Sequence, residues 1–217
     1  MNKVLVTGSE GYIGTVLMPM LIEKGYNVVG LDVCYYSEGN LIDYKFPKYN
    51  LINKDIRDIK MDDLQDKEYF AIVHLAALSN DPLGMLDEQL TYDINYKASV
   101  KLATFAKRVG ISRFIFASSC SLYGQGGSYA LTEDSSSNPQ TAYGKSKIYA
   151  EQEISKLAHE KFSGERIKFF LVDITEATRS VPGNENVPFA VPFLKEKGIS
   201  VPVLTDTRGV AMERYKA

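Results

Sequence analysis

The chain has 217 residues, 45% of them hydrophobic, with 25 Lys+Arg against 27 Asp+Glu, a formal charge of −2, two His and two Cys. That length supports one full domain core, or one domain plus part of another, and the balanced charge argues against a polyanion-binding surface, so no nucleic-acid partner is expected. Cys34 and Cys120 are too few for a disulfide framework and suit a reducing compartment. The first glycine follows only three apolar residues, too few for a signal-peptide core, and no stretch approaches the roughly 18–20 apolar residues of a spanning helix, so a cytoplasmic protein with no membrane partner is expected.

The first apolar run, residues 4–7, leads directly into Gly8-Ser9-Glu10-Gly11-Tyr12-Ile13-Gly14, three glycines spaced three apart where a strand hands over to a helix. Gly8 permits a tight turn, Gly11 lets a pyrophosphate approach the backbone, and Gly14 lets helix and strand pack closely. The N-terminus of the following helix offers unpaired N–H groups and a positive dipole end to phosphates. Ile13, Val16, Leu17, Met20 and Leu21 then form one apolar helical stripe, with Pro19 a misfit that predicts a local kink.

A second run, residues 27–31, ends at Asp32, whose carboxylate accepts hydrogen bonds from both ribose hydroxyls of NAD and repels a 2′-phosphate. A third, residues 50–55, closes on Asp55-Ile56, where side chains flank an adenine pocket; the alternative is that Asp55 or Asp58 caps the next helix, a reading that serves Asp58 equally well. The fourth run, residues 71–75, passes into His74-Leu75-Ala76-Ala77, where small residues leave room for a cofactor and His74 reads as a packed strand-end histidine. The next loop carries Ser79-Asn80-Asp81-Pro82, which either binds a substrate or simply turns. Leu90, Ile94, Ala98, Leu102, Phe105, Ala106 and Val109 form a second, longer stripe.

The fifth run, residues 114–118, ends in Ser118-Ser119-Cys120-Ser121-Leu122-Tyr123-Gly124. Tyr143 and Lys147 open a third helix and, four apart, share one face of it. A tyrosine hydroxyl with its usual pKa near 10 is a poor base at neutral pH, and a neighbouring ammonium moves it toward a useful range. A serine at the carboxyl edge of the sheet, Ser119, is placed to hydrogen-bond the oxygen that Tyr143 deprotonates. A sixth run, residues 168–172, completes a strict strand–helix alternation, which predicts an α/β fold with a doubly wound parallel sheet (Rossmann fold) over residues 1–172. Residues 173–217, with four prolines and two short apolar patches, read as a short irregular C-terminal segment.

These motifs together resemble an extended short-chain dehydrogenase/reductase, specifically the NAD-dependent epimerase/dehydratase family acting on nucleotide sugars. The resemblance runs from about Lys3 to Val172 and includes the Thr7–Gly14 glycine pattern, Asp55-Ile56-Arg57-Asp58, His74-Leu75-Ala76-Ala77, Asn95, the serine run before Gly124, and Tyr143-x-x-x-Lys147. It implies NAD as cofactor, held by Gly8, Gly11, Tyr12, Ile13, Gly14, Asp32, Asp55, Ile56, Leu75, Ala76, Ala77, Asn95, Tyr143 and Lys147, with no metal. It implies Ser119, Tyr143 and Lys147 as catalytic residues, with Ser79, Ser119 and Ser121 toward a nucleotide-sugar substrate, and a homodimer formed through the two later helices.

Departures from the family narrow the chemistry. The dehydratases of the family carry an Asp-Glu pair directly after the catalytic Ser/Thr, where this chain has Cys120 and Ser121. Cys120 itself reads as a small packing residue rather than a thiol catalyst, being one position short of the cysteine of fucose-synthase-like relatives. UDP-galactose epimerases commonly carry lysine where this chain has Ser79. What survives is a 4-epimerase of another specificity, working by hydride transfer at a sugar carbon with Tyr143 as acid/base, or a ketoreductase. The 45 residues after Val172 are fewer than the family's substrate domain needs. A truncated or altered frame, a partner chain that completes the site, and a non-catalytic NAD-binding module are the alternatives they leave open.

Overall fold

A computed structural model describes residues 1–35, 49–65, 67–79, 81–124, 136–159, 171–173 and 203–205. Strands β1 (Lys3–Thr7), β2 (Asn27–Asp32), β3 (Asn50–Asn53), β4 (Tyr69–His74) and β5 (Arg113–Phe116) form one sheet in the order β3-β2-β1-β4-β5. Every neighbouring pair in it is parallel. Parallel strands covered by helices on both faces need apolar side chains on both, hence the unbroken Val/Ile/Leu runs of the sequence. β1 shows this residue by residue. Val4 and Val6 pack with Met18 of helix α1 (Gly14–Glu23), whereas Leu5 packs with Ile72 and with Leu102 of helix α4 (Ser99–Arg108) on the other face. Truncating Leu102, which is fully buried, costs about 2–5 kcal/mol in such a core.

The strand order reverses at β1. The chain moves outward to β2 and β3, then returns to place β4 on the opposite side. Between the carboxyl ends of β1 and β4 lies the crevice where ligands of open α/β sheets bind. In register, Thr7 lies opposite Leu31 and His74, and His74 lies opposite Phe116, so the candidate residues that follow these strands share one edge of the sheet.

Several expectations are corrected in detail. The apolar stripe of α1 is rotated: Gly14, Thr15 and Met18 are buried, while Met20 is 52% exposed. The long second stripe is not one regular helix. Helices α2 (Asp81–Leu86) and α3 (Glu88–Tyr92) lead into a π-helical stretch, Asp93–Ala98, before α4 begins. That stretch shifts the phase and buries Thr91, Asn95 and Ser99 beside Ala98 and Leu102, polar residues that an apolar-stripe argument passes over. β3 ends at Asn53 rather than residue 55, because Asp55 caps a 3₁₀ turn, Ile56–Asp58. β5 ends at Phe116 because Ser119 caps another, Cys120–Tyr123.

The expected sixth strand does not join the sheet. β6 (Leu171–Asp173) pairs in parallel with β7 (Val203–Thr205), drawn from the second short apolar patch of the C-terminal segment, as a separate two-stranded sheet. β7 lies within the C-terminal segment, which therefore holds at least one short strand. Asn80, the Ser135 end of the serine triplet and most of residues 174–217 lie outside the described residues.

Candidate active site

The glycine turn is built by lack of space. Gly8 has φ +74°, and a Cβ there would lie 2.7 Å from the Ala76 nitrogen and 2.9 Å from the Leu75 carbonyl carbon. β1 and the residues after β4 therefore meet in backbone contact. A Cβ on Gly14 would collide with the Gly8 carbonyl oxygen and come within 2.6 Å of that of Ser9. Gly11 has less severe crowding, its added Cβ meeting only the Gly8 oxygen at 3.2 Å. The first turn of α1 opens at Gly11, whose carbonyl takes the Thr15 N–H, so Ile13 and Gly14 carry N–H groups with no intrahelical acceptor. A bare backbone, a helix start and its positive dipole end fit a pyrophosphate. Tyr12 and Ile13 are half-buried at this turn.

Asp32 has a structural task that sequence reasoning missed. Its carboxylate accepts the Glu10 N–H at 3.0 Å and the Cys34 N–H at 2.8 Å, tying the exit of β2 to the glycine turn. Glu10 is itself half-buried and accepts the Tyr49 hydroxyl, and burial together with Asp32 pushes its carboxyl pKa up. Gly30 of β2 leaves room for this cluster, since a Cβ there would meet Ser9 Oγ at 2.5 Å and the Tyr49 ring at 2.7 Å. The carboxylate nevertheless has lone pairs to spare for a ribose.

Asp55 behaves as a cap. It accepts the Arg57 N–H at 2.8 Å and holds the Arg57 guanidinium through Nη2 at 2.6 Å, which lowers its pKa. Ile56 is buried in the core beside Leu102. Leu75 and Ala76 are partly buried against opposite core clusters, and Ala77 is half-buried.

The serine run and the Tyr-Lys helix are packed onto one another. Helix α5 (Ala142–His159) begins against Cys120–Tyr123: a Cβ on Gly144 would lie 2.8 Å from the Ser121 carbonyl oxygen. Ser119 Oγ accepts the Ser121 N–H at 3.2 Å, which leaves its hydroxyl proton available to donate elsewhere. Tyr143 is buried, and Gly84 of α2 packs on it, with room for a Cβ only at 3.1 Å from Tyr143 Cβ. Lys147 is 3% exposed and donates to the Ala117 carbonyl at 2.8 Å. Burial pushes its pKa down to about 8, against a weaker opposite pull from Glu151.

Asn95 clamps the backbone of the loop after β4, accepting the Leu78 N–H at 2.8 Å and donating to the Leu78 carbonyl at 3.1 Å. Ser79 next to it is exposed, and Ser121 is half-buried. Cys120 is exposed, which corrects the reading of it as a packing residue; it points out of the 3₁₀ turn that Ser119 caps. His74 is packed as expected, buried at the end of β4. Its partners, Thr7 and Ser99, were not foreseen, although the Asn95–Ser99 spacing of four is a legible signal on a helix.

Comparison with known proteins places this arrangement in a family. The sequence profile described as the NAD dependent epimerase/dehydratase family matches residues 4–169. A UDP-glucose 4-epimerase from Rhizobium meliloti (strain 1021) is 34% identical over 154 residues, covering 70% of this chain and 45% of that protein. One from Lactobacillus helveticus is 31% identical over 152 residues, covering 69% of this chain and 45% of that protein. Among solved structures, a UDP-glucuronic acid 4-epimerase from Bacillus cereus in complex with NAD superposes with a TM-score of 0.66 at 27% identity, over 79% of this chain and 55% of that one. The chain spans about half the length of the curated relatives it matches.

Proposed function

The chain belongs to the NAD-dependent epimerase/dehydratase family, and on that premise we propose that it is the NAD-binding, catalytic half of a nucleotide-sugar 4-epimerase of the short-chain dehydrogenase type. The observation that carries this reading is the packing of α5 on the Ser119 turn, with Lys147 bonded to Ala117 just beyond β5, at the same sheet edge as the glycine turn. UDP-hexose epimerases among the relatives support a UDP-sugar as substrate.

The glycine turn with Ile13 and Gly14 holds the pyrophosphate, and Asp32 the ribose of the adenosine half, in preference to a 2′-phosphate. NAD, when bound there, would supply the hydride acceptor and donor for the sugar carbon. Tyr143 takes the proton from the sugar hydroxyl and gives it back, Ser119 donates to the same oxygen, and Lys147 holds the nicotinamide ribose and favours the tyrosinate. Gly84 packs against the Cβ and backbone of Tyr143 and so helps fix where the ring projects. The exposed Tyr149 and the aromatic contacts of Tyr92 and Tyr96 with it support a homodimer formed through α4 and α5. A cytoplasmic location is consistent with two cysteines, too few for a disulfide framework, and no helix among the described residues is long and apolar enough to cross a membrane.

The test is calorimetric titration of the 217-residue chain with NAD and NADP, followed by NMR of a UDP-glucose and NAD mixture for UDP-galactose. NAD binding tighter than NADP, with sugar interconversion, is expected. NAD binding without conversion or binding of any UDP-, GDP- or dTDP-sugar points instead to a binding module.

A further inference from the structure

A chain of buried hydrogen bonds links the two sides of the crevice, and its direction can be read from its ends. Ser99 Oγ donates to the Asn95 carbonyl at 2.8 Å, so its proton is committed and its oxygen can only accept from His74 Nε2, 2.7 Å away. With the proton on Nε2, the lone pair lies on Nδ1, and Thr7 Oγ1, at 2.6 Å, donates to it. Thr7 Oγ1 in turn accepts the Ala76 N–H at 3.4 Å. The imidazole is fully buried, stacks on Phe116 with ring centres 5.8 Å apart, and shares that ring with the Lys147 ammonium 4.9 Å from its centre. Such surroundings keep it neutral, as the single-tautomer chain requires.

One end of this chain is Thr7, which immediately precedes Gly8. The other is Asn95, whose amide grips both backbone groups of Leu78 at the start of the loop that carries Ser79. Ser99 directly follows the π-helical stretch, and its hydroxyl reaches back one turn to the Asn95 carbonyl inside it. Neither a packed core nor a cofactor site needs a histidine bonded at both nitrogens here.

We propose that His74, as its Nε2–H tautomer, is a positioning residue that locks the glycine turn and the substrate-side loop at Leu78 into one arrangement, through Thr7 on one side and Ser99–Asn95 on the other. What the two sides hold rests on the function proposed above; the coupling itself does not. It acts through other groups and touches neither ligand.

Two near-isosteres separate the two arms. Asn keeps an acceptor near the Nδ1 position and loses the Ser99 arm; Gln keeps a donor near the Nε2 position and loses the Thr7 arm. Amide hydrogen exchange on the full chain is expected to speed up roughly tenfold at Leu78 in His74→Asn with little change at Ala76, and the reverse in His74→Gln. Ser99→Ala, which leaves the imidazole in place, serves if His74→Asn does not fold, and should also release Leu78. In the wild type, ¹⁵N NMR should find His74 protonated at Nε2 and bare at Nδ1; the chain has only two histidines to assign. Equal acceleration at both amides in both variants, an unchanged Leu78 in Ser99→Ala, or the Nδ1–H tautomer would overturn the proposal. None of these readouts needs turnover, so failure of the epimerase reading would leave them interpretable.

Discussion

Lys147 and Tyr143 lie one turn apart on α5, and the Lys147 ammonium sits 5.9 Å from the centre of the Tyr143 ring. The same ammonium donates to the Ala117 carbonyl, so the helix that carries Tyr143 is pinned to the exit of β5 by Lys147.

Stability carries a pH signature of that burial. Lys147 has its pKa pushed down from 10.5 to about 8 in the folded chain. Between these values the unfolded chain binds more protons than the folded one, so stability rises with pH across that window and the cost of burying the charge is present below it. Relative to Lys147→Met, the wild type should gain about 3 kcal/mol between pH 8 and 10.5, measured by urea unfolding. A difference that stays flat would mean that the ammonium is not desolvated.

His74 gives the complementary signature in acid. Its pKa is pushed down from 6.5 to about 3, mainly by burial and then by Lys147. The unfolded chain binds the extra proton between these values, so stability contributed by neutral His74 is complete above pH 6.5 and is lost as pH falls toward 3. His74→Gln should remove a share of the acid sensitivity worth about 5 kcal/mol over that range. Superimposable acid-unfolding profiles for the two proteins would contradict this.

Gly8 and Gly25 make a matched pair, because both have positive φ but only Gly8 is crowded. Gly25→Ala should cost about 1 kcal/mol for the left-handed backbone alone. Gly8→Ala should cost at least twice that, and weaken NAD by more than tenfold, because the turn must move away from Ala76. Thermal unfolding and calorimetry on the two variants decide; equal costs would mean that the β1–β4 contact is soft.

Much of the fold was legible because buried parallel strands have no polar alternation to confuse the reading, and Val4–Val6 and Ile72–Val73 stand out on any hydropathy scale. The glycine spacing and Tyr143/Lys147 were legible because each encodes a local geometry. Long-range polar pairing was not. Nothing in the composition says that Asp32 grips Glu10, that Asn95 grips Leu78, or that Ser99 accepts from His74, since these partners are 17–25 residues apart and meet only when the sheet forms. The π-helical stretch was hidden as well, because residues 93–98 carry no local sequence signal that sets them apart from an ordinary helix. Cys120 was misjudged because small size was read as burial, whereas the turn capped by Ser119 faces it outward.

The most direct test of the account is turnover by Tyr143→Phe against wild type, with NAD affinity measured on both. The account predicts that 4-epimerisation of the UDP-sugar that the wild type converts falls on the order of 10²–10⁴-fold with NAD affinity unchanged. Equal conversion by the two proteins, or none by either when NAD is bound, would contradict it.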